Sequence, residues 1–518
     1  MNPLILALQH PEAYPHVTDN IIIAETHISW VILTGKFAYK IKKPVNLGFL
    51  DFSTLQKRHH FCHEELRLNR RLCPDLYLEV VPIKQSGNTI TLDGKGEIIE
   101  YAVKMIQFDR SQELDRLLAT NRLTEEHVNA IAVLVADFHL NGAQPVEDPE
   151  AGHPENLIKP ILDNFSHLLP DDENRTEKAL HAEIEAWIIN EHKKLYGVFS
   201  DRNKNGFIRH CHGDMHTGNM VLWRNNVSIF DCIEFNQNLF RIDVISDIAF
   251  LFMDLDHAGR ADLAWQFLNS YMTITGDYQG IKVLAFYAVY RAIVRAKVTA
   301  IRYNQESEGA SGASILKEHQ SYLALAKRYT IISKPLLILV SGFSGSGKTT
   351  HSAIIASNMH ALHIRSDIER KRFFGLKALE RSSNETDKTI YTPQISRLTY
   401  RKLLDIAALA IDAGVTVFVD ATFLRAKDRK TFQDLAETRQ CPCRIILFQA
   451  SKELLFERVR LRSLQRNDAS EADERVLSEQ MKLQEPLLPE EERFALIVDT
   501  SGPVDHEKII RTLGSTTP

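Results

Sequence analysis

Cysteine is scarce. The six thiols, at Cys62, Cys73, Cys211, Cys232, Cys441 and Cys443, form no CxxC pair and no Cys/His set at zinc spacing. That excludes a disulfide scaffold and a structural zinc module, and suits reduced thiols in a reducing compartment. Long apolar runs are missing as well. The longest helix-like one, Ile281 to Tyr303, is broken by Lys282, Arg291, Arg295 and Lys297, so no stretch reads as a membrane span, and no basic, apolar leader opens the chain. The expectation is a soluble, cytoplasmic protein with no membrane partner. A large excess of one charge is also lacking, with 62 Lys+Arg against 67 Asp+Glu. From residue 335 onward, 27 Lys+Arg meet 25 Asp+Glu. Neither part has the basic excess that bulk nucleic-acid binding requires.

What is present is globular sequence, 44% hydrophobic and 25% charged over 518 residues, enough for two to four domains with buried cores. Within it lie two patterns that carry phosphoryl-transfer chemistry. One is His212-Gly213-Asp214-Met215-His216-Thr217-Gly218-Asn219; the other is Gly342-Phe343-Ser344-Gly345-Ser346-Gly347-Lys348-Thr349. Between them, Asn304 to Ala313 is polar and small, a helix is expected over Ile315 to Arg328, and Lys334-Pro335 precedes a new apolar run. A boundary near residue 330 follows, giving domains 1–330 and 331–518.

The first part opens with strand-like Ser29 to Thr34 and Phe37 to Ile41, then a helix from about Leu55 to Leu72 and a strand over Ile98 to Gln107. The His212 to Asn219 segment lies between helical sequence and two short strands, Met220 to Leu222 and Val227 to Phe230, with Asp231 at the end of the second. A carboxylate at Asp214 can accept a substrate hydroxyl proton, while Asn219 and Asp231 offer hard oxygen ligands to Mg²⁺. These residues resemble the aminoglycoside phosphotransferase and choline kinase-like superfamily over roughly residues 20 to 303. The resemblance implies a two-lobed, protein-kinase-like domain with Asp214 as catalytic base, Asn219 and Asp231 at the metal, His212 and His216 ordering the loop, and Ser246-Asp247-Ile248-Ala249 as a structural segment. It also implies a strand lysine paired with a helix glutamate. Lys42 is taken for the lysine, with Lys40 as its alternative, and Glu65 for the carboxylate, with Glu64 one residue away. One departure stands out, since Glu25-Thr26-His27-Ile28-Ser29 shows no glycine-rich phosphate loop.

The second part alternates apolar strands (Leu336 to Val340, Leu362 to Ile364, Val415 to Val419, Ile445 to Phe448, Ala495 to Val498) with helical stretches, the order of a parallel doubly wound sheet. A strand leads straight into Gly342, Ser344, Gly345, Ser346 and Gly347, and Thr349-Thr350 opens a helix, which is the context a P-loop needs. Backbone N–H groups would cradle phosphates, Lys348 would reach the β/γ oxygens, and Thr349 would offer its hydroxyl to Mg²⁺. Asp367 and Arg370 follow the second strand, where a carboxylate can deprotonate an acceptor hydroxyl; a plain N-cap is the alternative for Asp367. Asp420 ends the third strand at a Walker B position. These features resemble P-loop kinases of the polynucleotide 5′-kinase and zeta-toxin type. The resemblance implies Asp367 as base, Arg370 as acceptor contact, Asp420 near the metal, and Arg458 and Arg462, on a helix with Arg460 and Arg466, as lid arginines.

The fold expected is therefore α/β and α+β, a kinase-like domain followed by a P-loop NTPase domain, as in bacterial proteins that fuse the two. ATP and Mg²⁺ are the expected cofactors, and the acceptor is a hydroxyl on a small molecule or a nucleic-acid end. Two competitors stand beside a bifunctional phosphotransferase. In one, the second domain alone catalyses, on a polynucleotide 5′-hydroxyl or a nucleotide sugar; in the other, one domain is a nucleotide sensor gating its neighbour.

Overall fold

In the computed structural model of this chain, residues 2–48, 50–148, 150–168, 175–306, 309–378, 380, 390, 392–465 and 469–514 are described. They divide into two compact units, Met1–Pro160 with Phe199–Asp254, and Ile161–Val198 with Leu255–Pro518. Among the described residues no helix is long and apolar enough to cross a membrane, and no disulfide joins any cysteine.

In the first unit, strands β1 (Ile22–Glu25), β2 (Ser29–Leu33), β3 (Phe37–Lys42), β4 (Tyr77–Ser86), β5 (Thr89–Leu92) and β6 (Glu97–Ile106) form an antiparallel sheet in the order β1-β2-β3-β6-β4-β5. Side chains alternate across a pleated strand, so Tyr39 and Ile41 of β3 join an apolar cluster with Ile32, Ile83 and Ala102. Lys40 and Lys42 are thereby left together on the opposite face. Helix α1 (Leu55–Asn69), whose N-terminus is capped by Thr54 accepting the Lys57 N–H, packs along β4 and β6. A second hairpin, β7 (Met220–Trp223) with β8 (Asn226–Ile229), turns through Arg224 and Asn225, both left-handed. It leaves the 211–219 loop and Asp231 together at the open end of the hairpin, opposite the turn. Asp247 is on helix α2 (Val244–His257).

The second unit contains a five-stranded parallel sheet of β9 (Leu337–Ser341), β10 (Leu362–Arg365), β11 (Val417–Asp420), β12 (Cys443–Gln449) and β13 (Ala495–Asp499), ordered β10-β11-β9-β12-β13. The glycine loop leaves the central strand, at the carboxyl ends where doubly wound sheets bind ligands. Ile338, Val340, Phe418, Ile446 and Phe448 fill one side of the sheet with Ile355 of helix α4 (Lys348–Asn358). Helix α3 (Ala261–Thr275) belongs to this unit and packs on α4 and β10. The described residues of the polar stretch Asn304–Ala313 belong to helices Ile281–Glu306 and Gly309–Tyr329, which pack on each other. Buried Ile315, Tyr322, Leu323 and Ala326 supply the second helix with an apolar stripe.

Candidate functional site

In the first unit, the loop carrying Asp214 is held from beneath. Asp247, fully buried, accepts the backbone N–H groups of His212 and Gly213 at 2.9 Å each. Gly213 adopts φ +90°, and a Cβ there would lie 2.7 Å from the Leu239 carbonyl, so the turn needs glycine. Burial pushes the Asp247 carboxyl up, but the hydrogen bond and charge of His139 and the neighbouring His212 outweigh it and bring it down to about 2. His212 Nδ1 accepts the Asp214 N–H at 3.2 Å, so the proton resides on Nε2, which donates to the Phe230 carbonyl at 2.9 Å. Burial holds this imidazole below its usual pKa. His212 therefore acts as a neutral loop brace. His216 Nδ1 accepts from Gly218, and Thr217 is fastened to Asp254 through both N–H and hydroxyl.

This scaffold presents Asp214 with a partly exposed carboxylate. Asn219 Nδ2 donates to its backbone oxygen at 2.9 Å and its Oδ2 at 3.0 Å, leaving the Asn219 side-chain oxygen as the available ligand atom. Asp231, in the left-handed region at φ +62°, pairs with Lys40. Asn219 and Asp231 thus supply the oxygen donors that suit a hard divalent cation. Both lysines reach Glu65, Lys40 at 2.8 Å and Lys42 at 2.7 Å. Glu64 pairs instead with Arg67 at the surface. Burial opposes ionisation of Glu65, yet the two ammonium groups bring its carboxyl down to about 2. Lys42 also pairs with Glu234, a residue the sequence reading passes over.

The segment standing where a glycine-rich loop belongs is internally satisfied. Thr26 Oγ1 accepts the N–H groups of Ile28 and Ser29, and Thr26 N–H donates to the Ser29 carbonyl. The only His/Cys/Asp group close enough for a metal among the described residues is His139, Cys211 and Asp247. Its Asp oxygens already take the two loop N–H groups, and the Cys211 thiol donates to the Ile242 carbonyl.

In the second unit the glycine loop leads from β9 into α4. A Cβ on Gly342, at φ +145°, would lie 2.6 Å from the Phe448 carbonyl, so only glycine lets the loop pass this close to β12. Gly345, Gly347, Lys348, Thr349, Thr350, His351, Arg458 and Arg462 line a cavity of about 300 Å³. Arg458 and Arg462, one turn apart on helix α6 (Lys452–Gln465), face it together. Arg458 is fixed by Gly345 O (3.3 Å), Thr500 Oγ1 (3.0 Å) and Thr500 O (2.7 Å), and Arg462 donates to Ala472 O. Arg466 lies outside the described residues. Lys348 Nζ donates to Phe343 O at 3.3 Å. Ser344 is engaged through both N–H and hydroxyl with Gln480 of helix α7 (Glu474–Leu483), whereas the buried Ser346 hydroxyl has no hydrogen-bond partner.

Asp420 ends β11 opposite Val340 of β9. It is buried, and its Oδ2 makes no hydrogen bond, with His363 Nε2 3.5 Å away. Burial pushes its carboxyl up, but His363 and Lys348 overcome this and hold it below the usual range. An orphaned carboxylate oxygen within reach of the P-loop lysine's charge fits a Mg²⁺ site. Asp367 is in the first turn of helix α5 (Ser366–Arg372), where Arg365 is the N-cap, so the capping alternative does not hold. Its carboxylate pairs with Arg370 at 3.2 Å. The helix is clamped by buried Glu369, which accepts from Tyr278 (3.1 Å) and Arg372, while Arg372 also reaches Thr273 O. Thr500, Gln480, Glu234 and Tyr278 carry no local sequence signal, being contacts between residues far apart in the chain; Asp247 is signalled by its segment.

A family model described as an AAA domain matches residues 337–487, from the P-loop strand to just past α7. An uncharacterized protein of Mycobacterium tuberculosis is 28% identical over 461 residues, covering 89% of this chain and 90% of the relative. Among solved structures, choline kinase from Cryptosporidium parvum is 11% identical, covers 63% of this chain and 96% of that one, and has a TM-score of 0.38. A gluconokinase from Sinorhizobium meliloti is 20% identical, covers 35% and 90%, and has a TM-score of 0.25. The C-terminal part thus carries an AAA-type P-loop domain on a parallel sheet, and it follows a part built on a six-stranded antiparallel sheet.

Proposed function

We propose that this chain is an ATP-dependent phosphotransferase with two kinase-type sites, a fusion of an aminoglycoside phosphotransferase-like domain (1–330) with a P-loop kinase domain (331–518), each transferring a γ-phosphoryl group to a hydroxyl acceptor. The observation that carries the reading is the P-loop cavity, lined by Lys348, Thr349 and two arginines, with the charge of Lys348 acting on the buried Asp420, one of whose oxygens has no hydrogen bond. Mg²⁺, when bound, would neutralise phosphate charge, with Thr349 and Asp420 as its holders in the second site and Asn219 and Asp231 in the first. Asp214 accepts the proton of a hydroxyl in the first site; Asp367 does so in the second, with Arg370 orienting it and the acceptor. Arg458 and Arg462 counter charge that develops on the transferred group.

The competing reading makes the second site the sole catalyst and the first unit an acceptor-binding module. The Thr26 to Ser29 turn favours it, because the N–H donors of Thr26, Ile28 and Ser29 are spent internally. The test is ATP turnover with Mg²⁺ for the parent, Asp214→Asn and Asp367→Asn, each with pooled small-molecule and RNA 5′-hydroxyl acceptors read by mass spectrometry. Loss of a different phosphorylated product in each variant supports two sites. If Asp214→Asn loses nothing, the first is not catalytic.

A further inference from the structure

Five charged side chains in the first unit form one chain of contacts, Asp231–Lys40–Glu65–Lys42–Glu234. Lys40 and Lys42 are two residues apart on β3, point the same way, and share Glu65, so spacing alone does not separate them. Their other partners do. The Lys42 side chain is 2% exposed, its ammonium lies 4.8 Å from the Phe52 ring centre, and its second carboxylate, Glu234, is 4% exposed. Lys40 ends instead on Asp231, whose side chain is 44% exposed.

The charges sort in the same way. Two ammonium groups meet three carboxylates, and Glu65 with Glu234 already balances both lysines. The surplus charge is Asp231, at the exposed end. A phosphate oxygen arriving there can replace Asp231 on Lys40 without stranding a buried ion. To reach Lys42 it would have to unseat one of two buried carboxylates, and an uncompensated buried charge costs several kcal/mol. Burial leaves the Glu234 carboxyl above its usual range although Lys42 draws it down, and Glu234 is held in place by its contact with Lys42.

We infer that Lys40, not Lys42, is the lysine that meets the nucleotide phosphates, and that Glu234 is a positioning residue which neutralises Lys42 and so keeps Glu65 available to Lys40. This rests on reading the first unit as a nucleotide site. Without Glu234, Lys42 would be an unbalanced cation and would draw Glu65 away from Lys40. Glu234 thus acts on the nucleotide through three intermediaries, Lys42, Glu65 and Lys40.

The experiment uses the full chain carrying Lys348→Ala, which silences the second cradle, and titrates Mg·ATP while thermal unfolding verifies folding. Lys40→Met should weaken binding about tenfold or more, the loss of one charge-assisted hydrogen bond, and Lys40→Arg should recover part of it. Glu234→Gln should weaken binding several-fold, and adding Lys42→Met to it should restore affinity towards the parent value. Such rescue separates positioning from a merely structural role. A deeper loss on adding Lys42→Met, or no loss in Lys40→Met, would overturn the inference while leaving a nucleotide site. No binding by the Lys348→Ala parent would overturn the site reading itself, and the inference with it.

Discussion

Thr500 joins the P-loop to the helix carrying Arg458, and replacing it by valine keeps its shape while deleting its hydroxyl. That hydroxyl is within 2.9 Å of Ser346 O and 3.1 Å of Gln449 O, and accepts from Arg458 at 3.0 Å. Gln449 O keeps the Thr500 N–H, and Arg458 keeps Gly345 O and Thr500 O. The group stranded by valine is therefore the Ser346 carbonyl, in the middle of the phosphate loop. An orphaned buried acceptor costs about 1–3 kcal/mol. If half of that cost falls on the nucleotide-bound state, affinity at this site drops roughly tenfold or less, since 1.4 kcal/mol is one decade. The assay is Mg·ATP titration of the full chain, scored on the binding component that Lys348→Ala removes. Thr500→Ser retains the hydroxyl and should bind within about twofold of the parent. Valine binding as tightly as threonine, or serine binding as poorly as valine, would refute the argument.

Lys348→Ala should abolish nucleotide binding at the second cavity and leave the first site intact; equilibrium titration with two-site fitting decides, and an unchanged second component would defeat the P-loop assignment. Asp247 should make the first unit acid-sensitive. Its folded pKa of about 2 lies below the ordinary value of 3.8, so its contribution, about 2 kcal/mol, is complete above pH 4 and fades as pH falls towards 2. Urea midpoints of parent and Asp247→Asn should converge over that window, and parallel curves would refute it. Tyr278→Phe removes a hydrogen bond to a buried carboxylate, worth about 1.5–3 kcal/mol. It should lower the thermal midpoint of the second unit and raise KM for the acceptor at the Asp367 site; a wild-type midpoint would remove Tyr278 from the clamp.

Much of both sites is legible in the sequence because each depends on neighbours in the chain. The loop from Gly342 to Thr349 specifies its own geometry, and Asp214, Asn219 and Asp231 fall around one short hairpin. Spacing does not separate Lys40 from Lys42, since both share a strand face and the partner that distinguishes their surroundings, Glu234, is 192 residues from Lys42. The β4–β5 hairpin had a usable signal in Gly87-Asn88, with Gly87 left-handed. The polar, small residues of 304–306 and 309–313 carry no helix signal of their own, and they belong to helices because the apolar stripe further along the second one packs.

The amide of Asn269 receives the His363 N–H at 2.9 Å and donates to the Ala361 carbonyl at 3.0 Å. It thereby occupies the outer rim of β10, the last strand on its side of the parallel sheet. A side chain from well before residue 331 thus stands in for a missing neighbouring strand. The cut that sequence similarity suggests would strip this cover and leave a row of unpaired backbone groups open to self-association. Any fragment meant to carry the P-loop in soluble form should therefore begin upstream of Ala261, and the two halves of this gene product are not interchangeable cassettes.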